Sequence, residues 1–411
     1  MSLNLLSLNT YHYRRGGSDA VFFDHDAIFR ELGWETAVFC MNHPKNFPSV
    51  WDRFFIDEIE LGNQYSLPQK IKMAGKIIYS LESRKNLRRL LDIFTPDIAH
   101  IHSVYHHISP SVIPLLKEKN IPIVYTAHDL KLTCPAYKMY NSTGVCEKCI
   151  NNNLLHLILN KCIHQSFPAS TLIAIESAIH KLTGIYKNNL SMIIAPSRFF
   201  MNKFIEWGWP ENMLTYIPNF INTNMFVPNY TPGDYFLYFG RLSSEKGLHT
   251  LLEAAGSTSI KLKIAGTGPI EAELKRKYQQ LSNVDFLGFR SGDTLWHDIK
   301  NSRAVILPSE WYENAPISIL ESYALGKPVI GARIGGIPEM IHEDETGYTF
   351  ESGNIHDLAA KVNHVSSLAA GEIEKLGRNA TDFVRSTFTR ERYTNSMLAL
   401  YHSLGVPMAK P

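Results

Sequence analysis

Short apolar runs recur along the chain, and stretches with helical spacing separate them. In the first half the runs lie at residues 3–9, 36–40, 98–101, 123–126 and 192–195. In the second half they lie at 235–239, 262–265, 284–287, 304–307 and 329–331. Most are rich in Val and Ile and apolar on both faces. That pattern predicts strands of parallel sheets covered by helices on both sides. The run at 3–9 is followed by Gly16-Gly17 and a helical stretch. The run at 235–239 is followed by Gly240, Gly247 and another helical stretch. Strand, glycine turn and helix form the opening unit of a Rossmann-type domain. The chain therefore reads as α/β, with two Rossmann-like doubly wound domains.

The boundary falls where Pro218, Pro228, Pro232 and Gly233 cluster with several Asn, a linker composition. We expect a first domain over 1–222, a second over 223–388 and a terminal segment over 389–411 with a helix near 390–404. A length of 411 residues suits two domains. A formal net charge of +2 is too small a basic excess for a nucleic-acid binder, so no nucleic-acid partner is expected. The first residues carry no positive segment ahead of their apolar run, and that run is broken by Asn and Ser. No apolar run reaches the roughly 18 residues of a membrane span. The expected compartment is the cytoplasm.

Arg241 and Lys246 leave the end of a strand five residues apart, where an open α/β sheet presents its ligand crevice. Arg chelates phosphate oxygens through two N–H groups and Lys adds a compact charge. Together they could neutralise a diphosphate without a metal. The segment from Ser309 to Glu321 follows the run at 304–307. Pro316 suits a first helical turn, and the spacing predicts a helix over 315–324 that stops at Gly326-Lys327-Pro328. Its N-terminus would aim free N–H groups at the same crevice. Glu313 precedes the helix and Glu321 lies about two turns inside it, so one carboxylate can meet a donor sugar and the other a ribose.

Four of the five cysteines, Cys134, Cys146, Cys149 and Cys162, centre on a Cys-x2-Cys in an insertion over 134–162. Such spacing suits a structural zinc site, with disulfides or a redox pair, or unlinked thiols, as the alternatives. In the cluster His100, His102, His106 and His107, alternation puts His100 and His102 on one strand face, suited to packing, hydrogen bonding or acceptor contact, with a metal site as the alternative. Asp24-His25-Asp26 is an Asp-x-Asp, the type that could bridge a metal to a diphosphate. It falls within a helical stretch and is expected on a helix surface. From Lys70 to Leu91 seven basic residues accompany one acid. With Ile71, Ala74, Ile78 and Leu81 at helical spacing, they form a basic amphipathic surface that either rests on anionic lipid or packs on the first domain.

As an ordered set, these pieces resemble glycosyltransferase family 4, the group 1 enzymes with the GT-B fold. The matching segments are Gly16-Gly17, Thr126-Ala127-His128-Asp129, Arg241 to Gly247, Ala265-Gly266-Thr267-Gly268, Phe286-Leu287-Gly288, the Glu-x7-Glu of Glu313 and Glu321, Gly326-Lys327-Pro328 and Gly335-Gly336. The resemblance implies a metal-independent enzyme that retains anomeric configuration. It would use a UDP- or GDP-sugar donor and a glycan or lipid-linked acceptor in cell-surface polysaccharide synthesis, in places at the inner face of the membrane. It implies that Arg241 and Lys246 bind diphosphate, Glu321 the ribose and Glu313 the donor sugar. His128 would lie beside the sugar and act in catalysis with Glu313, Arg241 and Lys246. Gly16 and Gly17 would let their loop approach the phosphate, Gly266 would border the donor, and Phe289 and Arg290 would flank the base. The terminal helix would cross back to the first domain. Many members carry Gly where this chain has Pro316, which leaves the amides of Asn314, Ala315 and Ile317 as donors. A sugar-nucleotide epimerase or glycan phosphorylase on the same fold, and a non-catalytic nucleotide-sugar-binding subunit, are the competing readings.

Overall fold

The computed structural model describes residues 2–59 and 66–407, without the side chains of Leu67, Pro68, Lys70, Ile71 and Asn152. The apolar runs form strands, and in chain order the strands are β1 (Asn4–Leu8), β2 (Glu35–Phe39), β3 (Ile98–Ile101), β4 (Ile123–Thr126), β5 (Tyr140–Asn141), β6 (Gly144–Val145), β7 (Met192–Ala195), β8 (Leu214–Tyr216), β9 (Tyr235–Phe239), β10 (Lys261–Ala265), β11 (Val284–Gly288), β12 (Ala304–Leu307), β13 (Val329–Ala332) and β14 (Gly347–Phe350). One six-stranded sheet has the order β2-β1-β3-β4-β7-β8 and the other β11-β10-β9-β12-β13-β14. All pairings within both sheets are parallel. The strands β3, β4, β9, β12, β13 and β14 are buried at every position, as coverage on both faces requires.

The two orders decide where a ligand can bind. The direction of winding reverses between β1 and β3 in the first sheet and between β9 and β12 in the second. A crevice opens beyond the carboxyl ends of the strands at each reversal. The loops that leave β1, β3, β9 and β12 are therefore the site-forming loops.

Three further features refine the sequence reading. β8 and β14 extend the sheets beyond the runs read from the sequence. The stretch Lys70 to Leu91 is two helices, Leu67–Ile78 and Leu81–Leu91, rather than one continuous surface. Ser80 ends that continuity by accepting the amide of Ser83 at 3.1 Å. Lys76 pairs with Glu82, and Arg84 with Glu118 at 2.6 Å, so part of the basic charge is neutralised locally. Lys70 and Ile71 lie outside the described side chains. Asp24-His25-Asp26 is also not the surface element expected. Asp24 is half-buried and pairs with Arg14 at 2.8 Å, but Asp26 is buried against Arg30 and His25 is wholly enclosed.

The cover over His25 is the terminal helix Arg390–Ser403. Tyr393, Met397, Leu400 and Tyr401 pack on Leu5, Phe29, Ile98, Val124 and Ile194 of the first sheet's layer. Among the described residues no helix is long and apolar enough to cross a membrane.

Candidate active site

The loop leaving β9 is held by close backbone approaches. Gly247 has φ +68°, and a Cβ there would fall 1.8 Å from the carbonyl oxygen of Pro308, at the end of β12. Gly266 has φ +142° and sits against the carbonyl of Gly240, where a Cβ would meet it at 1.9 Å. Glycine at both positions lets the loops after β9, β10 and β12 lie side by side. Gly266 thus shapes this wall of the crevice through the backbone.

These loops bring Lys246 and Glu313 together. The Lys246 Nζ donates to Glu313 Oε1 at 2.6 Å, and the Ser309 hydroxyl donates to the same oxygen at 2.6 Å. Glu313 is 6% exposed. Burial works to raise its carboxyl, but the Lys246 ammonium and its hydrogen bonds hold it below the usual carboxylate range. The same ammonium lies 5.1 Å from the centre of the Trp311 ring. Arg241 is exposed, and its side chain makes no ion pair with the described residues. Its guanidinium is therefore available to an incoming anion.

The helix after Glu313 runs Ile317–Ala324, with Pro316 as N-cap at φ −66° and ψ 118°. The helix begins two residues later than the spacing predicted, because Pro316 takes an extended conformation. Its first amides lack intrahelical partners. Glu321 lies within it, and its side chain has no hydrogen bond or ion pair to the described residues. Burial pushes its carboxyl up to about 7. A half-buried carboxylate of this kind is ready to accept hydroxyl hydrogens.

The first domain faces this wall. Gly17 opens the helix Gly17–Glu31, and a Cβ there would lie 3.5 Å from the Ile317 side chain. Nothing lies within 4 Å of a Cβ on Gly16. The glycine loop after β1 thus approaches the N-terminus of the helix carrying Glu321. Asn314 joins the two walls directly. Its amide nitrogen donates to the Ala127 carbonyl at 2.8 Å, and the Ser197 hydroxyl donates to its oxygen at 2.9 Å. Ala315 is buried and its carbonyl accepts from Asn219 at 3.0 Å.

His128 follows the residue that Asn314 touches. Its Nε2 shares a hydrogen bond with Nδ1 of His102 at 3.1 Å. Burial pushes His128 down to about 4, with Asp19 opposing, so the ring is neutral near pH 7. His102 stacks on His100 with ring centres 4.5 Å apart. Behind them, Tyr401 bonds His100 Nδ1 at 2.5 Å and His25 Nε2 at 3.0 Å. The terminal helix is thereby linked through His100 and His102 to His128. The alternation of His100 and His102 was legible; their link to a tyrosine some three hundred residues away was not.

Phe289 and Arg290 follow β11, at the edge of the second sheet. Phe289 is 73% exposed, and Arg290 pairs with Asp298 at 3.3 Å.

Other links between the domains escaped the sequence reading. Glu339 accepts the amides of Arg198 and Phe199 at 2.9 and 2.5 Å, at the start of helix Arg198–Glu206. All five cysteines are free thiols. Burial, followed by the neighbouring thiols, raises Cys149 to about 12 and Cys162 to about 11.

Comparison with known proteins agrees with this geometry. Residues 16–225 match the family described as Glycosyltransferase Family 4, and residues 223–383 match Glycosyl transferases group 1. The O-antigen chain mannosyltransferase C of Escherichia coli is 32% identical over 180 residues, 42% of this chain. That stretch spans 48% of the relative, about half its length. The sucrose-phosphate synthase of Thermosynechococcus elongatus superposes with a TM-score of 0.70 at 18% identity, covering 98% of this chain and 99% of that one. Anabaena HepE, solved in complex with UDP and glucose, superposes with a TM-score of 0.66 at 16% identity, covering 98% and 100%. Two parallel six-stranded sheets with this likeness have the GT-B architecture, and the chain belongs to glycosyltransferase family 4.

Proposed function

We propose that this chain is a retaining, metal-independent glycosyltransferase that moves a sugar from a nucleotide-diphosphate donor to a glycan or lipid-linked acceptor in the cleft between its domains. One observation carries the reading. The loops at both winding reversals converge on a site with an unpaired Arg241, the Lys246–Glu313 pair, a helix N-terminus and an unpartnered Glu321.

Cleavage between the anomeric carbon and the phosphate leaves negative charge on the diphosphate. Arg241, Lys246 and the amides near Ile317 are the donors aimed at that charge. Loss of one such fixed donor typically costs about 3–4 kcal/mol of transition-state stabilisation. Lys246 is pre-set by Glu313, so it is ordered before the charge develops. Glu313 then has its second oxygen for a sugar hydroxyl, and Glu321 takes the ribose. His128, neutral and fixed by His102, offers hydrogen bonding to the sugar. The cationic donor set supports a diphosphate held without a metal. Retention of configuration follows the family likeness.

The relative that acts on O-antigen supports a cell-surface glycan as acceptor, and the neighbour bound to UDP supports a uridine donor beside the guanosine alternative. The basic helices Leu67–Ile78 and Leu81–Leu91 would place the enzyme peripherally at the inner face of the membrane. Slow donor hydrolysis across UDP- and GDP-sugars, with chelator in excess, tests the reading. Turnover of one or a few donors that survives chelation is expected. No turnover of any donor with or without metal, or turnover only with metal, would contradict it.

A further inference from the structure

We propose that His102 is a positioning residue for sugar transfer: it sets the tautomer of His128, so that this ring meets a substrate as a hydrogen-bond donor at Nδ1 and not as a base. That role rests on the donor-site reading above.

The two rings share one hydrogen bond, between His102 Nδ1 and His128 Nε2 at 3.1 Å. One nitrogen must carry the proton and the other must accept it. The far side of His102 selects between them. Its Nε2 is buried without a partner, and the whole residue is enclosed. Burial keeps the ring neutral, with a single proton to place. On Nε2 that proton would make a buried N–H with no acceptor. In folded proteins an orphaned buried N–H is rarer than an under-used acceptor. The proton therefore sits on His102 Nδ1 and is donated to His128 Nε2. The one proton of the neutral His128 ring is then on its Nδ1. That nitrogen makes no hydrogen bond to the described residues, yet it is not among the buried atoms left unpaired. His128 is half-buried, and Nδ1 is the end that solvent and ligands reach.

The surroundings of His102 hold this arrangement. His100 stacks on it with ring planes 14° apart, and Phe22 meets it edge-on at 5.3 Å. His100 is fixed at both nitrogens, by Tyr401 at 2.5 Å and Thr126 at 2.7 Å. His25 is likewise fixed, by Tyr393 and Tyr401, each at 3.0 Å. Neither ring has a nitrogen left to accept from His102 Nε2. The ligand atoms of His25, His100 and His102 lie within 4.8 Å of one another, but the same hydroxyls occupy the nitrogens an ion would need. The trio is a hydrogen-bonded frame. An Nδ1–H already in place can donate to a sugar oxygen. It cannot take a proton from an acceptor hydroxyl, and Nε2 is turned inward to His102.

Two measurements test this on the full chain. The first is nitrogen NMR of protein labelled with 15N-histidine, near neutral pH and without substrate. His128, assigned by the signals lost in His128→Asn, should show a protonated Nδ1 and a bare Nε2. The reverse pattern would overturn the proposal. The second uses His102→Leu, which removes the donor, and His102→Asn, which returns an amide N–H near the place of Nδ1. With the nucleotide sugar chosen by the hydrolysis screen, His102→Leu should lower kcat about tenfold or more, the scale at which loss of an orienting partner is felt. Affinity for UDP or GDP should stay within about twofold, and His102→Asn should recover most of the rate. Nucleotide affinity that falls as far as kcat, or no recovery in His102→Asn, would reduce His102 to a packing residue and overturn the positioning role. A wild type that hydrolyses no nucleotide sugar would instead overturn the donor-site reading, while the NMR pattern still decides the tautomer.

Discussion

Lys246 and Glu313 hold each other before any donor arrives, and this pairing is the residue-scale feature that the sequence did not show. Spacing placed the two at neighbouring strand ends and gave them separate partners, a phosphate and a sugar. The 2.6 Å contact makes them one unit. Removing one partner should therefore affect both roles. Lys246→Ala is expected to lower kcat/KM roughly 10²- to 10³-fold, the typical cost of one lost transition-state donor. Steady-state kinetics with the true donor would measure it, and near wild-type turnover would remove Lys246 from the reaction. Glu321 gives a pH signature. Its carboxyl is pushed up to about 7, so it is protonated below that pH and ionised above. Ribose hydroxyls donate to the ionised form, so nucleotide affinity should fall as pH drops through about 7. Glu321→Gln should flatten that slope in titration calorimetry. A slope that survives the substitution would assign it elsewhere.

At the scale of elements, the parallel α/β layers were legible because strands buried on both faces leave continuous apolar runs. β8 was not, because its pattern of one buried and two half-buried residues carries little signal. The Asp24-His25-Asp26 turn of the first helix read as a solvated surface for a physical reason. Acids are usually exposed, and the element that covers His25 comes from the far end of the chain. That element, the helix Arg390–Ser403, is fastened by Tyr401. Tyr401→Phe removes the hydroxyl shared by His25 and His100 and leaves two buried ring nitrogens short of a partner. It should cost about 1–3 kcal/mol of stability. Urea unfolding would measure this, and a midpoint equal to the wild type would show that the network carries no net stability.

At the scale of the molecule, function depends on how the two sheets face each other, and that relation was the least readable from sequence. The motifs marked each wall of the cleft separately. Asn314 drew notice only for its amide, yet its side chain joins Ala127 and Ser197 of the first domain. Glu339, which no motif singled out, caps a first-domain helix from the second domain. Contacts of this kind arise from side chains distant in sequence, and no local period encodes them. Asn314→Ala should loosen closure over the donor. We expect a lower kcat, and more donor hydrolysis per transfer because water enters the cleft. Parallel assays of transfer and hydrolysis would read the ratio; an unchanged ratio would mean that Asn314 does not hold the closed arrangement.

The central claim is that the diphosphate of a nucleotide sugar is held where the loops after β9 and β12 meet. A crystal structure of the chain with the nucleotide chosen by the donor screen tests it most directly. The account predicts the diphosphate between Arg241, Lys246 and the amides near Ile317, with the ribose on Glu321. A nucleotide bound elsewhere, or in the cleft with its phosphates turned away from Arg241 and Lys246, would contradict it.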